Sequence, residues 1–243
     1  MKSFGFSSEQ EIIIGKFGQS DFLKENFYFT GGTALSGFYL NHRYSDDLDF
    51  FSEKRFENQI ILGIMERWSK EESFVFQSEF IEETYLFYLS FKNGARLKVD
   101  FACYPYKQLK QKRRYRDIKV DSRFDIAANK LITIIQRTDV KDFVDLFFLL
   151  KKFTVWDLIA GAEVKFRQKV DPLILASDFL KIEGFDFLPK MIKPVALKNL
   201  KSFYRGLALR VAGRKVIPVP RRPACPPFRR VNRQAGHGVQ TRR

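Results

Sequence analysis

The spacing of apolar positions changes near residue 105, and the change divides the chain into two kinds of structure. Ser8 followed by Glu11 has the form of a capping box ahead of Ile12, Ile13 and Ile14, which predicts a short helix over 8–18. Phe27, Tyr28, Phe29 and Thr30 are β-prone and stop at Gly31-Gly32, after which Leu35, Phe38 and Tyr39 recur at helical spacing over 33–40. Residues 48–51 alternate polar and apolar, as in a strand with one buried face. Phe56, Ile60, Ile64 and Trp68 at four-residue steps predict a helix over 55–70. Three β-prone runs follow, 74–80, 84–91 and 96–103, and Asn93-Gly94 marks a hairpin between the last two. A stretch rich in Lys and Arg, 107–116, reads as a linker. Helical patterns then cover 126–136, 140–152, 156–168, 172–181 and 194–204. The expected fold class is α/β (α+β): an N-terminal core over 1–105 with a short mixed sheet flanked by helices, then a helical region over 106–205.

Composition narrows the class. With 243 residues, 45% of them hydrophobic and 27 of them Phe, the chain can bury a sizeable core. No stretch approaches the roughly 18 apolar residues of a membrane span, and the first residues lack a signal-peptide pattern. Two Cys and two His exclude a disulfide framework and a Cys/His zinc site. A cytoplasmic protein without a membrane partner is the expectation. The net charge of +15 is concentrated at one end: 10 of the 43 Lys and Arg lie between Gly206 and Arg243, with no acid among them. The preceding residues hold the other 33 bases against all 28 acids, a net +5. Five of the nine Pro also fall in 206–243, where Arg, Pro and Gly replace the Lys and Phe used before it. That switch reads as a frameshift, read-through or fused segment, and otherwise as a nucleic-acid-binding arm or a solvated end. Function is therefore not read from the overall charge.

One segment carries chemistry. Gly31-Gly32 between a strand and a helix lets backbone approach a ligand and presents helix N–H groups to an anion such as a triphosphate. Asp47 and Asp49 flank Leu48, so strand alternation sends both carboxylates to one side, where they suit Mg²⁺ as hard oxygen ligands. Asp100, beside Lys98 on the polar face of a later strand, joins them if the two strands are neighbours; otherwise it pairs with Lys98 or Arg96. Three carboxylates together repel unless cations neutralise them. Thr33 either caps the helix or contacts phosphate. Arg43, in a loop with Ser45, contacts phosphate, pairs with an acid or is a surface charge. The run over 107–116 is a solvated face or grips acceptor phosphates.

Taken together, Thr30-Gly31-Gly32-Thr33-Ala34-Leu35, then His42-Arg43-x-Ser45-x-Asp47-Leu48-Asp49-Phe50-Phe51, Lys98-Val99-Asp100, Lys130 and Arg137-x-x-x-Lys141-Asp142-Phe143-x-Asp145-Leu146 resemble the AbiEii/AbiGii toxin family of the minimal nucleotidyltransferase superfamily. The resemblance covers about residues 25–150. It implies a nucleotidyltransferase fold and transfer of a nucleoside monophosphate from an NTP to an acceptor hydroxyl of RNA (tRNA) or protein. It further implies two Mg²⁺ ions held by Asp47, Asp49 and Asp100, with Asp100 also assisting deprotonation of the acceptor. Gly31, Gly32, Thr33, Arg43, Ser45 and Lys130 would contact the nucleotide, Lys130 on its phosphates. Asp142 or Asp145 would hold Lys130 or the nucleotide in place, with salt bridges to Lys141 or Arg137 as the alternative. A toxin of a type IV-like toxin–antitoxin or phage-defence pair, neutralised by a cognate antitoxin, is the implied role. The competing readings are a non-catalytic nucleic-acid- or partner-binding protein on this fold, and a sugar- or antibiotic-modifying nucleotidyltransferase. His42 and Cys103 have no partner that argues for nucleophilic catalysis.

Overall fold

A computed structural model describes residues 5–213. The first helix, α1 (Ser8–Gln19), is capped by Ser7 and Gln10, one residue ahead of the expected pair, because the Ser7 side chain accepts from the Gln10 N–H and the Gln10 amide returns to the Ser7 backbone. The short α2 (Asp21–Asn26) leads into β1 (Tyr28–Thr30), and α3 (Gly31–Leu35) begins on the glycines themselves before a π-helical turn, Ser36–Leu40. Next come β2 (Leu48–Ser52), α4 (Asn58–Glu72), β3 (Phe74–Ile81), β4 (Thr84–Phe91) and β5 (Arg96–Cys103). The β4–β5 turn places Gly94 at φ +84°, as the Asn-Gly pair predicted. On α4 the buried stripe is Ile61, Ile64, Met65 and Trp68, while Ile60 is exposed; a four-residue step drifts off a helix face that the 3–4 alternation follows.

The basic stretch 107–116 is not a plain linker. It supplies β6 (Arg113–Tyr115), which pairs with β7 (Ile118–Val120), and β7 lies parallel to β1. The sheet order is β3-β4-β5-β2-β1-β7-β6, with β2 and β5 also parallel. Alternation had no chance to reveal strands of three residues inside a run of cations. Several of those cations are engaged: Lys112 with Glu53, Arg116 with Glu11, and Arg113 over the Tyr39 ring.

The helical half is α5 (Arg123–Gln136), α6 (Val140–Leu149), α7 (Val155–Phe166), α8 (Pro172–Leu180), a 3₁₀ turn and α9 (Leu197–Ala212). Gly206, where the composition shifts, lies inside α9, and Leu207, Ala208 and Val211 beyond it are buried. The fold thus runs past the boundary expected at 205; the remainder of the basic tail, 214–243, lies outside the described residues. One hydrophobic core spans both halves, with Phe17 of α1 stacked on Phe50 of β2 at 4.2 Å. On the opposite face of β2, α5 closes over the strand and leaves a cavity between them.

Candidate active site

The cavity, about 360 Å³, is lined by Gly31, Gly32, Arg43, Ser45, Asp47, Asp49, Asp100, Lys130 and Asp142, which are nine of the ten residues singled out from sequence. The sheet register makes this convergence. Parallel pairing of β2 with β5 sets Asp49 directly beside Asp100, and antiparallel pairing with β1 sets Asp49 opposite Thr30, immediately before the glycines. Leu48, Phe50, Val99 and Phe101 go to the core, so the acids between them face the cavity.

Gly31 has φ +74°, and a Cβ there would lie 1.8 Å from Asp49 Oδ2. Only glycine permits both that conformation and that approach. A Cβ on Gly32 would meet Arg43 Nη2 at 2.6 Å and Ser45 Oγ at 3.0 Å, so the two glycines sit against the acids on one side and the Arg43 loop on the other. Thr33 is the residue that stays out of the cavity: its buried hydroxyl donates to the Asp47 carbonyl, which braces the acidic loop and leaves no hydroxyl for phosphate.

The remaining charges form a hub that the sequence reading underweighted. Asp145 of α6 is fully buried and accepts from Arg43 Nε and Nη2 at 2.7 and 2.8 Å, while His42 Nε2 and Lys130 Nζ lie 2.7 and 2.8 Å from its oxygens. Lys130 also donates to Asp142 at 2.7 Å, and Asp142 accepts from Arg137 at 2.9 Å. Arg43 is therefore buried and pairs with an acid, one of the alternatives read for it, its third nitrogen donating to the Tyr44 carbonyl at 2.9 Å while the side chain still lines the cavity. The loop carrying it is pinned by Tyr44 N–H donating to the Lys190 carbonyl at 2.9 Å. Burial raises the Asp145 carboxyl, but Lys130 and Arg43 outweigh it and hold the group well below the usual carboxylate range. Burial lowers His42, against the hydrogen bond and charge of Asp145. The pairing of Asp142 with Lys130 is as expected; Asp145 was left as its alternative because i,i+3 spacing says only that two acids share a helix face.

Where the acids converge the balance is reversed. Burial, together with the Asp100 and Asp47 carboxylates, pushes Asp49 up to about 7. Burial also raises Asp100, against the hydrogen bond from Lys98. Asp100 Oδ1 is buried and has no hydrogen-bond partner among the described residues. An unpartnered hard oxygen beside a carboxylate that resists ionisation is a donor set short of positive charge. These residues fit a divalent cation such as Mg²⁺. Among the described residues no three His, Cys, Asp or Glu side chains are already gathered for a metal, and Asp100 is paired with Lys98.

Sequence reasoning did not place Lys98, Arg137 and Lys141 at the cavity, although it named all three, and it missed Phe51, Tyr104 and Asn129 as the less charged wall. Arg137 and Lys141 were read only as salt-bridge partners of the α6 acids, a role that Arg137 has with Asp142; Phe51, two residues after Asp49, had a face assignment available from alternation. Tyr104 stacks near Phe51 with ring centroids 4.8 Å apart, a contact no local pattern announces.

The chain is 37% identical over 137 residues to the uncharacterized protein aq_aa25 of Aquifex aeolicus (strain VF5), an alignment that takes in 55% of this chain and spans 61% of that relative's length. Among solved structures, a putative nucleotidyltransferase from Helicobacter pylori superposes with a TM-score of 0.55 at 19% identity, covering 85% of this chain and 96% of the other. JHP933 from Helicobacter pylori gives 0.54 at 20% identity over 85% and 93%. MenT4, the nucleotidyltransferase toxin Rv2826c of Mycobacterium tuberculosis H37Rv, gives 0.54 at 16% identity over 86% and 83%. These likenesses show a shared fold. The family model for the AbiEii nucleotidyl transferase toxin of type IV toxin–antitoxin systems matches residues 18–210, and the chain belongs to that family.

Proposed function

We propose that the protein transfers a nucleoside monophosphate from an NTP to an acceptor hydroxyl, releasing pyrophosphate, and acts as the toxin of a type IV pair held in check by a cognate antitoxin. The observation that carries this reading is the side-by-side register of Asp49 and Asp100 against a glycine turn that no side chain could occupy. Asp47, Asp49 and Asp100 would hold two Mg²⁺ ions, which when bound supply positive charge to the attacking and leaving oxygens of an in-line displacement. The backbone at Gly31 and Gly32 would seat the polyphosphate, since the N–H groups opening α3 point out of the helix. Arg137 and Lys141, with Arg43, would offset its charge. Lys130, tied to Asp142 and Asp145, would add a fixed positive field at the cavity wall. Phe51 and Tyr104 would give the base an aromatic wall. The acceptor oxygen attacks the α-phosphorus, the bond to the bridging oxygen of pyrophosphate breaks, and the hydroxyl proton passes toward Asp100.

Among the described residues no helix is long and apolar enough to cross a membrane. The test is direct: the full chain is incubated with Mg²⁺, each α-labelled NTP in turn, and total tRNA or protein. Label retained on a macromolecule with release of pyrophosphate is expected. Release of free nucleotide alone would replace transfer by hydrolysis.

A further inference from the structure

Asp47 reaches the cavity from the loop 41–47, which joins the π-helical turn to β2 and has no helix or strand of its own. Side chains hold alternate carbonyls of that loop. Ser36 Oγ donates to Arg43 O at 2.6 Å, Gln10 Nε2 donates to Ser45 O at 2.8 Å, and the Thr33 hydroxyl donates to Asp47 O. Ser36 and Thr33 both belong to the helical stretch that opens on the glycines. Gln10 comes from α1, 35 residues before its partner, and so clamps the loop from a second element. It is 4% exposed, and its amide is oriented from both ends. Oε1 accepts from Ser7 N–H at 3.0 Å in the capping box, which turns Nε2 toward Ser45. Glutamate fills the same place in a capping box, but it would set an oxygen against the Ser45 carbonyl. The helix carrying the amide is itself seated: Ile13, Ile14 and Phe17 lie in the core, and a side chain on Gly37 would collide with the Phe6 ring. Gln10 precedes residue 18, where the family match begins.

We propose that Gln10 is a positioning residue for the transfer reaction: by holding the Ser45 carbonyl it sets the backbone from which Asp47 joins Asp49 and Asp100 at the cation site. Its amide is not part of the cavity wall and acts through two residues of chain. Misplacing a reacting group by about 1 Å is enough to cost on the order of a hundredfold in rate. The inference rests on the proposed transfer reaction and adds to it a residue of α1.

The test compares the full chain with Gln10→Met, Gln10→Glu and Ser7→Ala. Three quantities are followed: transfer from labelled NTP, binding of Mn²⁺ by electron paramagnetic resonance as a probe of the cation site, and thermal melting. Gln10→Met removes the donor and one half of the cap, Gln10→Glu removes the donor alone, and Ser7→Ala removes the other half of the cap alone. Both Gln10 variants should lower kcat on the order of tenfold or more while KM for the NTP stays within about twofold, because the glycine turn, Arg137 and Lys141 are untouched. Gln10→Met should also weaken Mn²⁺ binding severalfold in the absence of nucleotide. Ser7→Ala should melt a few degrees lower with native kcat and native Mn²⁺ affinity. Native kcat and Mn²⁺ affinity in the Gln10 variants, or losses in Ser7→Ala equal to those in Gln10→Met, would overturn the proposal. A native protein that yields no labelled product, while Gln10→Met still loses Mn²⁺ affinity, would sink the transfer reading and leave the placement of Asp47 by Gln10 in force.

Discussion

At the scale of single residues, the site depends on how close backbone and carboxylate can come. Gly31→Ala would put a methyl group inside the space of Asp49 Oδ2 and a side chain on a left-handed backbone. The conformational part costs about 1–2 kcal/mol, and the clash must move either Asp49 or the start of α3. Transfer should fall at least a hundredfold while the melting transition drops only a few degrees; a variant with native turnover would show that the turn is merely structural. Asp49→Asn separates charge from shape. It removes one of three crowded carboxylates without changing volume, so the fold should survive with unchanged or higher melting temperature while labelled product falls by on the order of 10³ or more.

At the scale of elements, α6 joins the helical half to the cavity through two acids with different surroundings. Arg43 and Lys130 are buried against Asp145, so Asp145→Ala strands buried cations and should cost about 3–5 kcal/mol in denaturant unfolding. Asp142→Ala should cost less, because Arg137 is 61% exposed and can return to water. Equal losses would deny Asp145 its central place. The junction of β7 and α5 carries the opposite case. Burial, with Asp125 nearby, raises Asp121 to about 7 despite Lys165 and the hydroxyl of Thr30, while Tyr39 donates to its carbonyl. A raised carboxyl keeps its proton better folded than unfolded, so stability declines as pH rises from about 4 to about 7, by at most ~1.4 kcal/mol per unit. Asp121→Asn should therefore gain more over the native protein near pH 8 than near pH 5 when unfolding is compared at the two values. These two elements also show what was legible. Asp47, Asp49 and Asp100 could be read because a two-residue strand period states which side chains share a face. The pairing of Asp145 with Arg43 and of Asp121 with Thr30 could not, since those partners lie 102 and 91 residues away.

At the scale of the whole molecule, composition and folding disagree about where the structured chain continues. Lys and Phe give way to Arg and Pro near residue 206, yet α9 continues through Gly206 to Ala212 with no change in its buried stripe. Composition averages over a window and misses the last two turns of a helix, whereas the spacing of Leu200, Tyr204, Leu207 and Val211 carries across the boundary at steps of four, three and four. Tyr204 anchors this helix to α6 by donating to the Phe143 carbonyl at 2.7 Å, and Leu207 and Val211 are buried beyond the glycine. A chain ending at Arg205 would lose the burial of Leu207, Ala208 and Val211, roughly 3–6 kcal/mol of transfer free energy, and would leave Tyr204 in a frayed last turn. A chain ending at Gly213 keeps all of it. The second should melt well above the first and retain nucleotide binding. The two melting alike would mean that residues 206–212 add nothing to the core that supports Asp142 and Asp145.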